Sequence, residues 1–215
     1  MERHTDPSTG PSTSTGAESS PLAIAVLVGS TRPGRRAASV ADWVMAEAVA
    51  HGRSDARFEV LDLADHDLPI FDEPDPPIWG RYVRPHTLTW ARAVDAFDGY
   101  VIVSPEYNHS MPGALKNAMD FLFEEWADKA AGFVTYGVDA GGARAAEHLR
   151  LVASEVRLAT VRAQVALSIM DDFGPDGEFS TAAPRAYQAD KLAALLDQVV
   201  AWGSALRTLR VPVPG

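Results

Sequence analysis

The chain has 215 residues, with 19 Lys and Arg against 29 Asp and Glu, a formal net charge of −10, and 47% apolar and 22% charged residues; that length suits one domain able to bury a full core without staples. It contains no cysteine, which excludes disulfides, thiolate metal centres, iron–sulfur clusters and a cysteine nucleophile. The acidic balance argues against nucleic-acid and anionic-membrane partners, both of which want a basic surface, and no apolar run approaches the roughly 18 residues of a spanning helix.

Residues 5–21 read TDPSTGPSTSTGAESSP, in which 14 of 17 are Ser, Thr, Pro or Gly. Too little apolar surface is present there to offset the entropy of ordering, so residues 1–21 read as a disordered tail. The segment lacks the apolar stretch of a secretory signal, and a cytoplasmic location is expected. From Leu22 to Gly215 a single domain is expected. Five strand candidates follow in order: Leu22–Val28, Phe58–Leu63, Tyr100–Val103, Gly132–Tyr136 and Val161–Ile169. The first and third are apolar throughout, as befits strands covered on both faces. Helical spacing of apolar residues marks Ala37–Ala50, Thr87–Phe97, Gly113–Phe123, Ala143–Val156 and Ala186–Leu209. Five alternations of strand and helix predict an α/β three-layer sandwich: a five-stranded parallel sheet with helices on both faces, in the flavodoxin-like order 2-1-3-4-5. One connection is unusually long. Residues 64–86 hold five prolines with Trp79 and Tyr82, and a stretch of this kind suits an interface or a substrate lid better than a plain surface excursion.

In an open parallel sheet, ligands bind beyond the carboxyl ends of the strands where the order reverses. In this order that place lies between strands 1 and 3, where the loops Gly29–Arg36 and Ser104–Gly113 meet. The first, Gly-Ser-Thr-Arg-Pro-Gly-Arg-Arg, is neither a Walker loop nor a Gly-x-Gly-x-x-Gly fingerprint. It nevertheless offers what a terminal phosphate needs: the hydroxyls of Ser30 and Thr31, close backbone approach at Gly29 and Gly34, the start of a helix, and the guanidinium groups of Arg32, Arg35 and Arg36. The plainer reading is a solvated turn with surface arginines. The second loop, Ser-Pro-Glu-Tyr-Asn-His-Ser-Met-Pro-Gly, is stiffened by proline at both ends. Its Pro105, Glu106, Tyr107 and Asn108 suit a planar heterocycle with polar edge atoms. Glu106 is read as orienting the loop and His109 as solvent-facing, in preference to an acid–base pair. A Ser104/His109 nucleophile lacks both an acidic orienter and the Gly-x-Ser-x-Gly elbow. Met111, Met119 and Trp126 read as packing. The loop after strand 4, with Tyr136, Gly137, Gly141 and Gly142, forms the third wall. The six histidines show no metal-ligand spacing, and no metal is expected.

The runs GSTRPGRR after strand 1 and SPEYNHSMPGALKNAMDFL after strand 3 resemble those of the NADPH-dependent FMN reductase family, over about Leu22 to Leu209. The resemblance implies a flavodoxin-like FMN-binding domain and an NAD(P)H-dependent oxidoreductase of the flavin or quinone reductase type. NADPH or NADH would deliver hydride to the flavin N5, and two electrons would pass in ping-pong order to a small-molecule acceptor. No protein group then serves as a catalytic nucleophile. Carried over residue by residue, the phosphate loop falls on Ser30, Thr31, Arg32 and the Arg35–Arg36 region. The isoalloxazine loop falls on Pro105, Glu106, Tyr107 and Asn108, and the third flavin-edge loop on Tyr136, Gly137 and Gly141 or Gly142. Where many members place Ser, Thr or Asn, this chain has Arg35-Arg36-Ala37, which leaves open which arginine meets the phosphate. Members are commonly homodimers or homotetramers with the flavin near an interface, a role open to residues 64–86. Two other readings stay open: a flavodoxin-type one-electron carrier serving a protein partner, and a flavin-free interaction protein on the same fold.

Overall fold

Seven successive apolar residues, Leu22–Val28, form strand β1, and all seven are buried. A strand turns alternate side chains to opposite faces. Leu22, Ile24, Val26 and Val28 therefore join a core shared with helices α1 (Ala37–His51) and α5 (Tyr187–Arg207). Ala23, Ala25 and Leu27 join a second core with α2 (Pro85–Asp95), α3 (Gly113–Asp120) and α4 (Ala143–Glu155). A strand covered on both faces has no polar side to present, which is why β1 shows no alternation in sequence. The computed structural model describes residues 20–175, 178–179 and 184–210. Of the expected tail at residues 1–21, only Ser20 and Pro21 fall among them. The Ser20 carbonyl and hydroxyl accept from Arg207 at 2.7 and 3.0 Å.

The other strands are β2 (Ala56–Asp62), β3 (Gly99–Pro105), β4 (Lys129–Gly137) and β5 (Leu158–Ser168). All neighbours pair in parallel, in the order β2-β1-β3-β4-β5, the order expected from the alternation of elements. Register brings Val28 opposite both Asp62 and Val103, and Pro105 opposite Tyr136. The loops that follow these strands consequently leave the sheet side by side.

Helix boundaries follow local chemistry. Helix α1 ends on Gly52 in the left-handed region (φ 70°), a conformation that costs glycine least. Helix α2 starts with Pro85 in its first turn, where no backbone N–H is needed. The amides of Val83 and Arg84 just ahead of it both donate to the Glu73 carboxylate at 3.0 Å. Helix α3 stops at Asp120, short of the expected Phe123. The turn that follows brings Trp126 into the core, with its indole N–H on the Met119 carbonyl at 3.3 Å.

Strand β4 begins three residues before the expected Gly132, and a lysine opens it. Lys129 is buried, and its ammonium donates to the carbonyls of Val94 and Asp95 at 3.1 and 3.4 Å, closing the last turn of α2. Burial pushes this ammonium down from 10.5 to about 8, against the pull of Asp95. Between those two values the unfolded chain binds a proton that the folded chain has already released, so this group makes stability climb as pH rises from about 8 toward 10.5. Urea midpoints measured at pH 7.5, 8.5 and 9.5 should therefore rise relative to those of a Lys129→Met variant. A difference constant across that range would contradict the depressed value.

Candidate active site

The loop after β1 is fixed first by the main chain: the amide of Gly29 donates to the Val103 carbonyl at 2.9 Å. A Cβ on Gly29 would lie 2.8 Å from Leu115 and 3.0 Å from that carbonyl, so a larger residue here would have to push Leu115 and the end of β3 aside. Ser30 is buried, and its hydroxyl shares a 3.1 Å hydrogen bond with the Tyr107 hydroxyl. That contact joins the first loop to the second. Pro33 and Gly34 (φ 68°) then form a turn closed by the Arg35 amide on the Arg32 carbonyl at 3.0 Å, the type II pattern of proline followed by a left-handed glycine. Helix α1 starts at Ala37 with no side-chain cap and no acidic residue in its first turn. The positive end of its dipole and its first amides are thus left open at the loop.

The three arginines of this loop behave differently. Arg35 is ion-paired with Asp62, the last residue of β2. Arg36 lies over the ring of Phe173, 5.7 Å from its centroid. Arg32 is exposed and has no ion pair or hydrogen-bond acceptor for its guanidinium among the described residues.

In the second loop, Pro105 still pairs with β4, and the Glu106 amide donates to the Tyr136 carbonyl at 2.9 Å. Tyr107 and Ser110 exchange backbone hydrogen bonds at 2.8 and 2.9 Å across a two-residue turn. Asn108 (φ 50°) and His109 (φ 65°) occupy that turn, both left-handed and both exposed. This is the geometry of a type I′ hairpin, which favours asparagine first and glycine second. The side chain of Glu106 turns away from solvent. Its carboxylate accepts from the Arg144 amide at 3.1 Å and Nε at 2.6 Å, in the first turn of α4. One turn further along α4, His148 Nδ1 meets the Ser110 hydroxyl at 2.8 Å. Helix α4 therefore grips this loop at both ends. Glu106 orients the loop and His109 faces solvent, as expected, while Ser104 is buried and donates to the Pro105 carbonyl at 2.9 Å. Met111, Met119 and Trp126 are buried.

The glycines of the third loop are accounted for by close packing. A Cβ on Gly142 (φ 82°) would come within 2.7 Å of Thr135, one on Gly141 (φ 58°) within 2.9 Å of the Ala166 carbonyl carbon, and one on Gly137 within 3.0 Å of the Gly142 amide. Burial pushes the Tyr136 phenol above its ordinary range, against the pull of Arg32, Arg36 and Arg35. It therefore stays a neutral donor beside these cations. Its ring sits 5.9 Å from that of Phe173.

Residues 64–86 are tied down rather than loose. The Phe71 amide and the Pro69 carbonyl bond the Asn117 carboxamide of α3 at 2.9 and 2.7 Å, and the Tyr82 hydroxyl donates to Glu125 at 2.9 Å. Where this segment begins, a recess of about 220 Å³ opens beside Thr31, between His66 and Asn117. A larger hollow of about 520 Å³ lies around Lys129 and Arg157. It opens at the amino-terminal end of β4, away from the three loops.

All twelve residues singled out from the sequence lie at one sheet edge, Pro105, Tyr136 and Gly137 at strand ends and the other nine on the loops that follow β1, β3 and β4. Asp62, Arg144, His148 and Phe173 were not singled out. Arg144 lies two residues after the glycines of the third loop, a signal that could have been used; the other three carry no local motif.

A profile of the NADPH-dependent FMN reductases matches residues 22–172. The chain belongs to this family. Its cofactor is FMN, its electron donor NAD(P)H, and its activity that of a flavin-dependent oxidoreductase. An NAD(P)H-dependent FMN reductase of Schizosaccharomyces pombe is 36% identical over 151 residues, 69% of this chain and 74% of that protein. A quinone reductase of Escherichia coli is 32% identical over 136 residues, 61% and 69% of the two chains. Among solved structures, a flavoenzyme NAD(P)H:(acceptor) oxidoreductase from Paracoccus denitrificans superposes with a TM-score of 0.65 at 21% identity, covering 86% of this chain and 98% of that one; this likeness establishes the flavodoxin-like fold.

The FMN reductase hairpin carries a local cost at His109, since a left-handed residue other than glycine is held at about 1–2 kcal/mol. His109→Gly should raise the urea midpoint by the equivalent of about 1 kcal/mol. A lowered midpoint would mean that the histidine side chain contributes more than its backbone costs.

Proposed function

We propose that FMN lies along the three loops at this sheet edge and that the chain transfers two electrons from NAD(P)H to a small quinone-type acceptor. The observation that carries this assignment is the uncapped start of α1. It sits between two loop hydroxyls and two guanidinium groups, those of Arg32 and Arg36, with no carboxylate partner among the described residues. Such a donor set fits a phosphate monoester, which accepts from helix amides and from arginine. The second end of the ligand is supported by the 104–110 loop. Its backbone is pinned by Glu106 and Ser110 and can present amides and the Asn108 carboxamide to a planar ring.

In this reading Ser30, Thr31, Arg32, Arg35 and Arg36 form the phosphate end, with Arg35 acting mainly by holding the loop against Asp62. Pro105, Glu106, Tyr107 and Asn108 line the isoalloxazine, with Glu106 fixing the backbone rather than touching the ring. Tyr136, Gly137 and Gly141 form its far edge. When bound, FMN supplies the redox chemistry between nicotinamide and acceptor. The protein's part is to bind, to orient and to keep one ring face accessible. The acceptor class is inferred from relatives named quinone reductases or quinone oxidoreductases, including one from Solanum tuberosum.

We also infer a homo-oligomer working in the cytoplasm, where NAD(P)H is supplied. Ile70, Ile78, Trp79 and Val83 are 85%, 56%, 57% and 60% exposed on a segment held rigid by proline and side-chain bonds. Several large apolar side chains exposed on one short segment suit a protein contact, and aromatic anchors dominate such contacts. Among the described residues no helix is long and apolar enough to cross a membrane.

The purified protein should be yellow, and anaerobic NADPH or NADH should bleach it within seconds; a coloured protein that neither donor bleaches would exclude the reductase. Arg32→Ala should raise the FMN dissociation constant about 10- to 100-fold, the loss of one charge-assisted contact of about 1.5–3 kcal/mol, and unchanged affinity would remove Arg32 from the phosphate end. Trp79→Asp should shift the species seen by light scattering from oligomer to monomer. An oligomer that survives the substitution would place the interface elsewhere.

A further inference from the structure

Two neighbouring arginines precede α1, and the structure treats them unequally. Arg35 is bound to Asp62, so its charge is largely answered and its direction is set by the end of β2. Arg36 has no carboxylate and no hydrogen-bond acceptor for its guanidinium among the described residues. What it has is the face of Phe173. Stacking of this kind engages the guanidinium plane and leaves its in-plane N–H donors free for a second partner. A half-buried cation with unfilled donors, at the open start of a helix, is arranged to receive an anion.

Phe173 is itself held from several sides. Its ring meets Tyr136 at 5.9 Å and Phe179 at 4.8 Å, and Phe179 in turn meets Trp43 of α1 at 5.8 Å. The preceding residue, Asp172, is fully buried and accepts from the Ser168 and Arg185 amides and from the Arg185 guanidinium at 2.8–3.0 Å. That carboxylate fastens the end of β5 to the residues leading into α5, and so fixes where Phe173 can sit. The family match ends at residue 172. Phe173, Phe179 and Arg185 all lie beyond it, in a part of the chain the family profile does not describe.

We propose that Phe173 is a positioning residue which, by stacking, aims Arg36 at the terminal phosphate of FMN, and that Arg36 rather than Arg35 distinguishes FMN from riboflavin. This rests on the placement of FMN proposed above. The phosphate is the one group that FMN has and riboflavin lacks, so the two ligands separate contacts at that end from everything else.

The test uses the full chain, freed of flavin by dialysis and titrated with FMN and with riboflavin by fluorescence. Arg36→Gln should weaken FMN binding at least tenfold and leave riboflavin within twofold. Phe173→Leu should weaken FMN about three- to tenfold with riboflavin again unchanged. In the Arg36→Gln background it should have no further effect, since the residue acts only through that arginine. Phe173→Tyr, which keeps the aromatic face, should restore the wild-type preference. Arg35→Gln should reduce the preference for FMN less than Arg36→Gln does, since its guanidinium is already engaged by Asp62. The proposal is overturned if Arg36→Gln preserves the preference for FMN, if Phe173→Leu weakens both flavins equally, or if its effect persists without Arg36. Wild-type chain that binds neither flavin would bring down the FMN assignment itself, whereas a wild type that binds FMN with insensitive variants brings down only this inference.

Discussion

The parallel pairing of β1 with β3 is the constraint on which the site depends. Parallel strands all end at one edge, and the order reversal at this pair sends α1 to one face while α2 and α3 go to the other. No crossover helix then covers the gap between the two strand ends. The 2.9 Å bond from the Gly29 amide to the Val103 carbonyl is the last rung of that pairing, and it decides how close the two loops can come. From there Ser30 and Tyr107 are within hydrogen-bond reach. The register that creates this closeness is enforced elsewhere, by buried side chains on both faces of β1. Slipping the strand by one residue would exchange the two cores.

Much of this arrangement can be read in the sequence because it is local. LAIAVLV is a buried strand by composition alone, and its ends coincide with those observed. Pro33-Gly34 specifies its turn, and Pro105 and Pro112 bracket the second loop. The strand order follows from alternation and handedness. What was not legible is what sequence distance hides. Asp62, Arg144 and Asp172 lie 27, 38 and 13 residues from the partners Arg35, Glu106 and Arg185, and nothing in a single chain couples such positions. Lys129 escaped for another reason: a charged residue does not look like the start of a buried strand. Only the C-terminal end of α2 makes its burial tolerable, by offering carbonyls to the ammonium.

The same pairs explain how an acidic chain can offer an anion a favourable place to bind. Three of the carboxylates that meet these loops are each answered by an arginine: Asp62 by Arg35, Glu106 by Arg144, Asp172 by Arg185. Each pair also has a mechanical effect. The first ties the phosphate loop to β2, the second ties the aromatic loop to α4, and the third fixes the connection that carries Phe173. Once those charges are answered, Arg32 and Arg36 stand out as cations without a carboxylate among the described residues, beside the positive end of α1. The net charge of −10 is a property of the whole surface. At the start of α1 the nearest charges are those of Arg32 and Arg36, and over a few ångströms near charges outweigh distant ones that salt screens. Binding of an anionic cofactor therefore requires no basic protein, only that the acids beside the phosphate loop be answered by partners that also hold the loops in place.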